Sequence, residues 1–175
     1  MKPKICVIGS AEKMEFNIAK LAREIGREIA RQGAILITGA TTGYSNEAAI
    51  GAHEEKGLVI GISPAAGENS HKREYCLPTE NFDAIIYTGF GYKGRNLVNI
   101  RAADAVIMVS GGIGTLNEAT IAYDAGKNIG VLKGSGGVAD NIKTIMELCY
   151  QKTKSKIMYG SNPKKLVKRI LEELK

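Results

Sequence analysis

The chain has 175 residues, of which 44% are hydrophobic and 24% charged, so we expect one ordinary folded domain spanning residues 1–175. At this length a core can form without disulfides or a structural metal. The formal net charge of +6 lies in residues 151–175, which hold eight basic and two acidic side chains, whereas residues 1–150 are formally neutral. A neutral body makes nucleic acid an unexpected partner.

Short apolar segments alternate with helical segments along the chain. Strands are predicted at residues 4–9, 34–38, 58–63, 84–88, 105–110 and 128–132, with a short seventh at 156–159. Helices are predicted at residues 14–31, 45–55, 95–103, 115–125, 138–150 and 163–174. Because the strands are apolar on both faces, they predict a parallel sheet covered by helices on both sides. The fold class is therefore α/β, a Rossmann-like doubly wound sheet of about seven strands.

Two segments lie outside this alternation. The connection between residues 65 and 83 exceeds the ~12–15 residues usual for a loop without structure. It predicts a lid or a subunit contact, with a floppy surface loop as the alternative. The basic segment 151–175 predicts a solvated helix face, with a contact for a polyanion as the alternative.

Cysteine spacing and hydropathy limit the class of protein further. Cys6, Cys76 and Cys149 are far apart and form no Cys-x-x-Cys pair, which argues against a disulfide framework and a metal site. A reducing, cytoplasmic location fits this cysteine usage best. No apolar run reaches the length of a membrane-spanning helix, and the N-terminal apolar run is too short for a signal peptide.

Glycine-rich turns follow three of the predicted strands, where an open α/β sheet binds its ligands. None of them is a P-loop or a dinucleotide-binding fingerprint, so a typical dehydrogenase is disfavoured. The candidate phosphate- or nucleotide-binding residues in these turns are Gly9, Ser10, Gly39, Gly43, Gly111, Gly112, Gly114 and Thr115.

The third turn, from Gly111 to Thr115, carries the clearest indication of a ligand. Its three glycines let backbone N–H groups converge, and the helix that follows adds its positive end. This combination predicts a phosphate site, most directly at the amides of Gly112, Gly114 and Thr115. A tight turn without a ligand is the alternative.

Two charged residues flank that turn. Glu118 is either a functional carboxylate or the acidic member of a Thr-x-x-Glu capping box with Thr115. Arg95 could bind a phosphate or carboxylate in the same crevice, or form a surface ion pair. His53 and His71 have no partner at a telling spacing and are interpreted as non-catalytic.

The stretch from Arg95 to Glu118, RNLVNIRAADAVIMVSGGIGTLNE, resembles the "lonely guy" phosphoribohydrolases, long mislabelled as lysine decarboxylases. The family motif Gly-Gly-x-Gly-Thr-x-x-Glu falls on residues 111–118, and its arginine falls on Arg95, nine residues before Asp104. The segment from Gly39 to Pro64 matches as well, so the resemblance covers roughly residues 4–133.

Some positions depart from that family. It usually has proline where this chain has Ser110, and lysine where this chain has Asn96. These departures resemble a sister branch that is related to the molybdenum-cofactor carrier proteins and to the DNA-processing protein DprA. After its second turn DprA has aspartate and histidine, which residues 43–46 (Gly-Tyr-Ser-Asn) lack.

The resemblance implies cleavage of the N-glycosidic bond of a nucleoside 5′-monophosphate by a homodimer, giving a free base and ribose 5-phosphate. Arg95 and Glu118 would then be catalytic, and no metal would be needed. A non-catalytic carrier or sensor of a nucleotide-like or molybdenum cofactor is the alternative. A module that binds single-stranded nucleic acid is a third. The expected partner is a nucleoside monophosphate or a related phosphorylated small molecule.

Overall fold

The sheet has seven parallel strands, as the alternation of segments predicts. The computed structural model describes residues 1–11, 14–149 and 152–175. The strands are β1 Lys4–Gly9, β2 Ile35–Thr38, β3 Val59–Ser63, β4 Ala84–Tyr87, β5 Ala105–Val109, β6 Asn128–Leu132 and β7 Ile157–Gly160. They lie in the order β4-β3-β2-β1-β5-β6-β7, and each pair of neighbours is parallel. The predicted fold class is confirmed.

The central strand, β1, lies between strands that are distant in sequence. It pairs Cys6 with Ile37 of β2 on one side and with Val106 of β5 on the other. The chain therefore runs outward from β1 to β4, returns to β5 beside β1, and then runs outward in the other direction. This reversal opens a crevice at the carboxyl ends of β1 and β5, where such sheets bind ligands.

Helices cover both faces of the sheet. They are α1 Phe16–Arg31, α2 Tyr44–Glu54, α3 Gly91–Ala102, α4 Ile113–Asp124, α5 Gly137–Leu148 and α6 Pro163–Glu172. Ile5 and Val7 of β1 belong to the core beneath α1, α2 and α6, whereas Cys6 and Ile8 belong to the core beneath α3, α4 and α5. Successive strand residues point to opposite faces, which accounts for the two apolar layers.

An exposed network of ion pairs joins α1 to α2. Three arginines spaced four residues apart on α1, Arg23, Arg27 and Arg31, face Glu54 and Glu55 at the end of α2. The side chains of these five residues are about one-third to two-fifths exposed. The hydrogen bond from Arg23 is the main cause that lowers the pKa of Glu54, with Arg27 adding to it and burial opposing it.

Two helices begin two or more residues earlier than the sequence predicts. Helix α3 begins at Gly91 rather than at Arg95, and α4 begins at Ile113 rather than at Thr115. Both starts are glycine-rich, and glycine is a poor helix former, so propensity places the start too late. The predicted end of α5 at Tyr150 lies outside the described residues, and the described helix ends at Leu148.

The connection between β3 and β4 folds against the sheet. It contains a single π-helical turn, Ser70–Glu74, whose His71 is fully buried. The His71 ring lies in hydrogen-bond contact with the Ser63 hydroxyl at 2.8 Å and with the Pro78 carbonyl at 3.0 Å. These contacts fasten the segment to the end of β3. Its role as a lid or a subunit contact stays a prediction.

The three cysteines are free thiols, of which Cys6 is buried and the others are exposed. Among the described residues, no helix has the length and apolar character that crossing a bilayer requires.

Candidate functional site

One cleft of about 590 Å³ opens at the carboxyl ends of β1, β2 and β5. It lies where the sheet order reverses, and its volume falls in the range typical of small-molecule sites. It brings together residues that are far apart in sequence. Those predicted from the sequence that line it are Gly9, Ser10, Gly39, Arg95, Gly112, Gly114, Thr115 and Glu118.

Gly43 and Gly111 do not line the cleft, although the sequence groups them with its binding residues. Both adopt positive φ, +81° and +108°, which favours glycine. A Cβ at Gly43 would lie 2.0 Å from the Ser10 carbonyl oxygen, and one at Gly111 would lie 2.5 Å from Thr115. Their absent side chains therefore serve the packing of the turns, and no contact with a ligand is needed to explain them.

Gly112 and Gly114 have the opposite surroundings. Among the described residues, a Cβ at Gly112 would meet nothing within 4 Å, and one at Gly114 would meet only the Lys93 amine, at 3.8 Å. Gly112 precedes the first turn of α4, whose backbone N–H groups have no acceptor within the helix. Open backbone, a helix N-terminus and an ammonium group thus meet at one edge of the cleft, a combination that suits a phosphate.

Lys93 is a residue that sequence reasoning missed. It lies in the first turn of α3, in the stretch GFGYKGR, and it lines the cleft. Its position depends on α3 beginning at Gly91, because a helix that began at Arg95 would leave it in a loop. A lysine three residues after a glycine-bearing turn was the available signal.

Ser110 departs from the family proline in conformation as well as in chemistry. Its φ is +55°, whereas the proline ring fixes φ near −65°. Its backbone N–H donates to the Ser135 hydroxyl at 2.8 Å, a bond that proline cannot make. The carbonyls of Ser110 and Gly111 accept from the amides of Ala139 and Val138 at the start of α5. The turn before the double glycine is therefore built differently from one that contains proline.

Glu118 is not the acidic member of a capping box. Thr115 lies inside α4, and Gly112 is the residue that precedes the helix, with no side-chain cap. The Glu118 carboxylate instead accepts hydrogen bonds at Oε1 from Arg95 at 3.2 Å and from Asn99 at 2.9 Å. The capping interpretation is wrong because the residue that caps α4 is Gly112, three residues before Thr115.

Arg95 is likewise not a surface residue, since only 5% of it is exposed. Its guanidinium lies against the backbone of Gly39, where a Cβ would approach three of its atoms within 2.5–2.6 Å. Its Nη1 also donates to Asn96, and its buried Nε has no hydrogen-bond partner among the described residues. The glycine at position 39 thus makes room for the arginine, and the interpretation as a surface ion pair is wrong.

Burial controls the electrostatics of this pair. Burial raises the pKa of Glu118 above its ordinary value, and the charge of Arg95 and the hydrogen bond from Asn99 only partly offset it. Burial also raises the pKa of the Cys6 thiol on β1, and the charge of Glu118 adds to this. A carboxyl group with a raised pKa in a cleft can hold or transfer a proton nearer neutral pH than an exposed one.

The rest of the lining supplies aromatic and hydroxyl groups that the sequence did not single out. Tyr75 comes from the segment between β3 and β4, and Tyr92 from the start of α3. The hydroxyls come from the turn after β2 and the start of α2. Within the described part of the chain, no cluster of His, Cys, Asp and Glu could hold a metal ion.

The chain belongs to the SLOG cluster4 family, whose sequence model matches residues 2–167. A protein of Archaeoglobus fulgidus, described as uncharacterized, is 35% identical over 130 residues, which is 74% of this chain and 80% of that protein.

Solved structures show the same fold over the whole chain. The molybdenum cofactor binding protein of Rippkaea orientalis is 27% identical, with a TM-score of 0.82 over 100% of this chain and 99% of that chain. The molybdenum cofactor carrier protein of Chlamydomonas reinhardtii is 26% identical, with a TM-score of 0.78 over 98% of each chain. DprA of Streptococcus pneumoniae is 17% identical, with a TM-score of 0.73 over 99% of this chain and 62% of that chain. At this identity the similarity shows the fold alone. The suspected relation to the sister branch is confirmed.

Proposed function

We propose that this protein binds a phosphorylated, nucleotide-like small molecule in the cleft. The observation that carries the proposal is the edge formed by Gly112, Gly114 and the Lys93 amine, because open backbone there meets a helix N-terminus and a positive charge. The similarity to proteins described as binding or carrying the molybdenum cofactor supports a small molecule over a nucleic acid.

The proposal is tested by thermal shift with nucleoside 5′-monophosphates, a pterin monophosphate and single-stranded oligonucleotides. A ligand present at a hundred times its dissociation constant stabilises the folded state by about 2.7 kcal/mol. The class that raises the Tm identifies the ligand chemistry. Stabilisation by oligonucleotides alone would contradict the proposal.

Gly112→Val is the variant that locates the phosphate. The new side chain meets no protein atom within 4 Å at its Cβ, so the fold should persist while the approach of a phosphate is blocked. Gly67→Val is a matched control, since its Cβ also meets nothing within 4 Å and Gly67 does not line the cleft. Equal stabilisation of both variants by the ligand would place the phosphate elsewhere.

A second candidate is the phosphoribohydrolase activity that the motif from Arg95 to Glu118 implies. The specific observation is that Glu118 lines the cleft, is held by Arg95 and Asn99, and has a raised pKa. N-glycosidic bonds break through a sugar cation. Glu118 would stabilise that cation or orient the attacking water. Arg95 would hold the Glu118 carboxylate in place, and it would neutralise negative charge or position the leaving group.

Glu118→Gln separates catalysis from packing. The amide keeps an oxygen that can accept from Arg95 and Asn99, but it removes the charge partner of the buried Arg95, a change that costs up to about 3–5 kcal/mol. The free energy of unfolding is therefore measured on the same samples, and rates are compared under conditions where both proteins are folded. A catalytic carboxylate would lose about 10²–10⁴-fold in rate. Release of ribose 5-phosphate from adenosine, guanosine and N6-modified adenosine monophosphates measures the rate. A parent that binds these ligands without releasing ribose 5-phosphate is a carrier.

The homodimer implied by the resemblance and the cytoplasmic location indicated by the cysteine usage stay predictions. Light scattering coupled to size-exclusion chromatography measures the first, and fractionation of cells measures the second.

A further inference from the structure

The cleft contains an aromatic pair that the phosphate site does not explain. Tyr75 and Tyr92 contact each other edge to face, with ring centroids 5.5 Å apart and ring planes at 72°. Both line the cleft, and Tyr92 is 47% exposed. In such a pair, the ring that contributes its edge keeps both of its faces free of its partner.

Local backbone structure positions both tyrosines. Tyr75 closes the π-helical turn with its amide on the Ser70 carbonyl, and the amide of Leu77 donates to the carbonyl of the buried His71. Tyr92 lies in the first turn of α3, next to Lys93. One ring of the pair, Tyr92, and the cation at the phosphate edge are therefore adjacent residues of one helix.

Hydroxyl groups on the β2 side of the cleft are weakly engaged by the protein. The hydroxyls of Thr41 and Ser45 lie 3.4 Å apart, and the Ser45 hydroxyl lies 3.5 Å from the Thr42 carbonyl. The usual separation for such bonds is about 2.7–2.8 Å. These hydroxyls are thus available to the polar edge of a ring or to a sugar.

Taken together, and resting on the proposed function, these features lead us to infer that Tyr75 and Tyr92 select ligands in which a phosphate is joined to a flat heterocycle. The heterocycle stacks on the tyrosine pair, while the phosphate binds at Gly112, Gly114 and Lys93. A purine mononucleotide and a pterin monophosphate share this chemistry. Ribose 5-phosphate has the phosphate but no ring to stack.

The test compares adenosine 5′-monophosphate, a pterin monophosphate and ribose 5-phosphate by isothermal titration calorimetry. Replacing a stacking aromatic residue weakens the binding of a base by about tenfold. We expect Tyr75→Leu and Tyr92→Leu to show this loss for the preferred heterocyclic ligand and to leave ribose 5-phosphate binding unchanged. Tyr92→Phe keeps the ring and should bind like the parent, as should Leu97→Ala, an exposed α3 residue outside the cleft.

Each outcome bears on the inference. Selective loss in the leucine variants supports it, and the ligand that responds more strongly identifies the nucleotide or the pterin as the source. Unchanged binding in those variants, or an equal loss for ribose 5-phosphate, overturns it while the proposed function stands. A parent that binds none of the three probes contradicts the proposed function as well.

Discussion

Two carboxylates of this protein, Glu54 and Glu118, are each paired with arginine, yet their pKa values move in opposite directions. Glu54 belongs to the exposed network between α1 and α2, where hydrogen bonds from arginine dominate and lower its pKa. Glu118 lies in the cleft with 7% of its surface exposed, and there burial dominates and raises its pKa. The same pair of residue types is thus a surface feature in one region and an electrostatically costly one in the other.

The difference indicates where function is to be sought. Exposed ion pairs contribute little and need no functional reason, whereas a buried pair carries a desolvation penalty that its own attraction does not always offset. Within the part of the chain that the structure describes, the Arg95 Nε in this pair also has no partner. Unpaired polar atoms and shifted pKa values in a cleft are common features of binding sites.

The largest expected effect comes from removing the buried cation. Arg95→Met should lower the free energy of unfolding by about 3–5 kcal/mol at neutral pH, because it leaves the Glu118 carboxylate buried without its charge partner. Part of the loss should be recovered on acidification, as Glu118 takes up a proton. Urea unfolding followed by circular dichroism measures both. A loss below about 1 kcal/mol, typical of a surface arginine, would contradict the proposed difference between the buried pair and the exposed network.

A smaller effect is expected from crowding the same arginine. Gly39→Ala places a Cβ within 2.6 Å of the Arg95 guanidinium, and overpacking of this kind costs about 1–3 kcal/mol. Gly67→Ala adds the same methyl group where nothing lies within 4 Å and should change stability by no more than about 0.5 kcal/mol. Chemical denaturation measures the free energy of unfolding of both variants. Equal values would show that the Arg95 side chain moves aside without a cost in stability.

The two carboxylates should also respond to pH with opposite signs. The pKa of Glu118 is raised in the folded state, so its contribution to stability is full below the ordinary value of 4.5 and is lost as pH rises through the folded value. The pKa of Glu54 is lowered, so its contribution is present above 4.5 and is lost as pH falls through the folded value.

Glutamine variants isolate these two contributions. As pH falls from neutral towards 4.5, the parent should gain stability relative to Glu118→Gln. The parent should stay more stable than Glu54→Gln down to a pH below 4.5, and should then lose this difference in stability. The urea midpoints of the three proteins across this pH range measure the two contributions. If both contributions rose, or both fell, as pH falls, the predicted opposite response would be refuted.

The smallest effect is expected in the exposed network. Arg27→Met, the counterpart of Arg95→Met, should cost about 1 kcal/mol or less because the partly exposed pair is solvated. The cost should shrink further in about 1 M salt, where screening extends over only ~3 Å. Denaturation at low and high salt tests this, and a loss that salt does not alter would indicate packing rather than charge.

The sequence predicts the sheet well because its signal is local. Apolar segments such as Ala105–Val109 are buried on both faces, and their composition alone indicates a central parallel strand. Helix starts at Gly91 and Ile113 were placed too late, since the glycines around them oppose a helix in isolation. Packing against the sheet overrides that local preference.

The site could be predicted only in part. Glycine turns mark the carboxyl edge of the sheet, and six of the eight residues chosen from them line the cleft. Spacing favoured a cap for Glu118, because its partners Arg95 and Asn99 lie on another helix and are joined to it only by the fold. Tyr75 lies in a segment without periodicity, so nothing local connects it to Tyr92.

The position of β1 between β2 and β5 bears on how the protein matures during its synthesis. Strands β2 and β5 are separated by the whole of β3, β4 and α3, and the cleft takes its lining from residues as far along as Glu118. A chain still emerging from the ribosome therefore has no complete binding cleft until that residue is free to fold. A ligand that needs the whole lining is therefore bound only after the chain has been synthesised past Glu118.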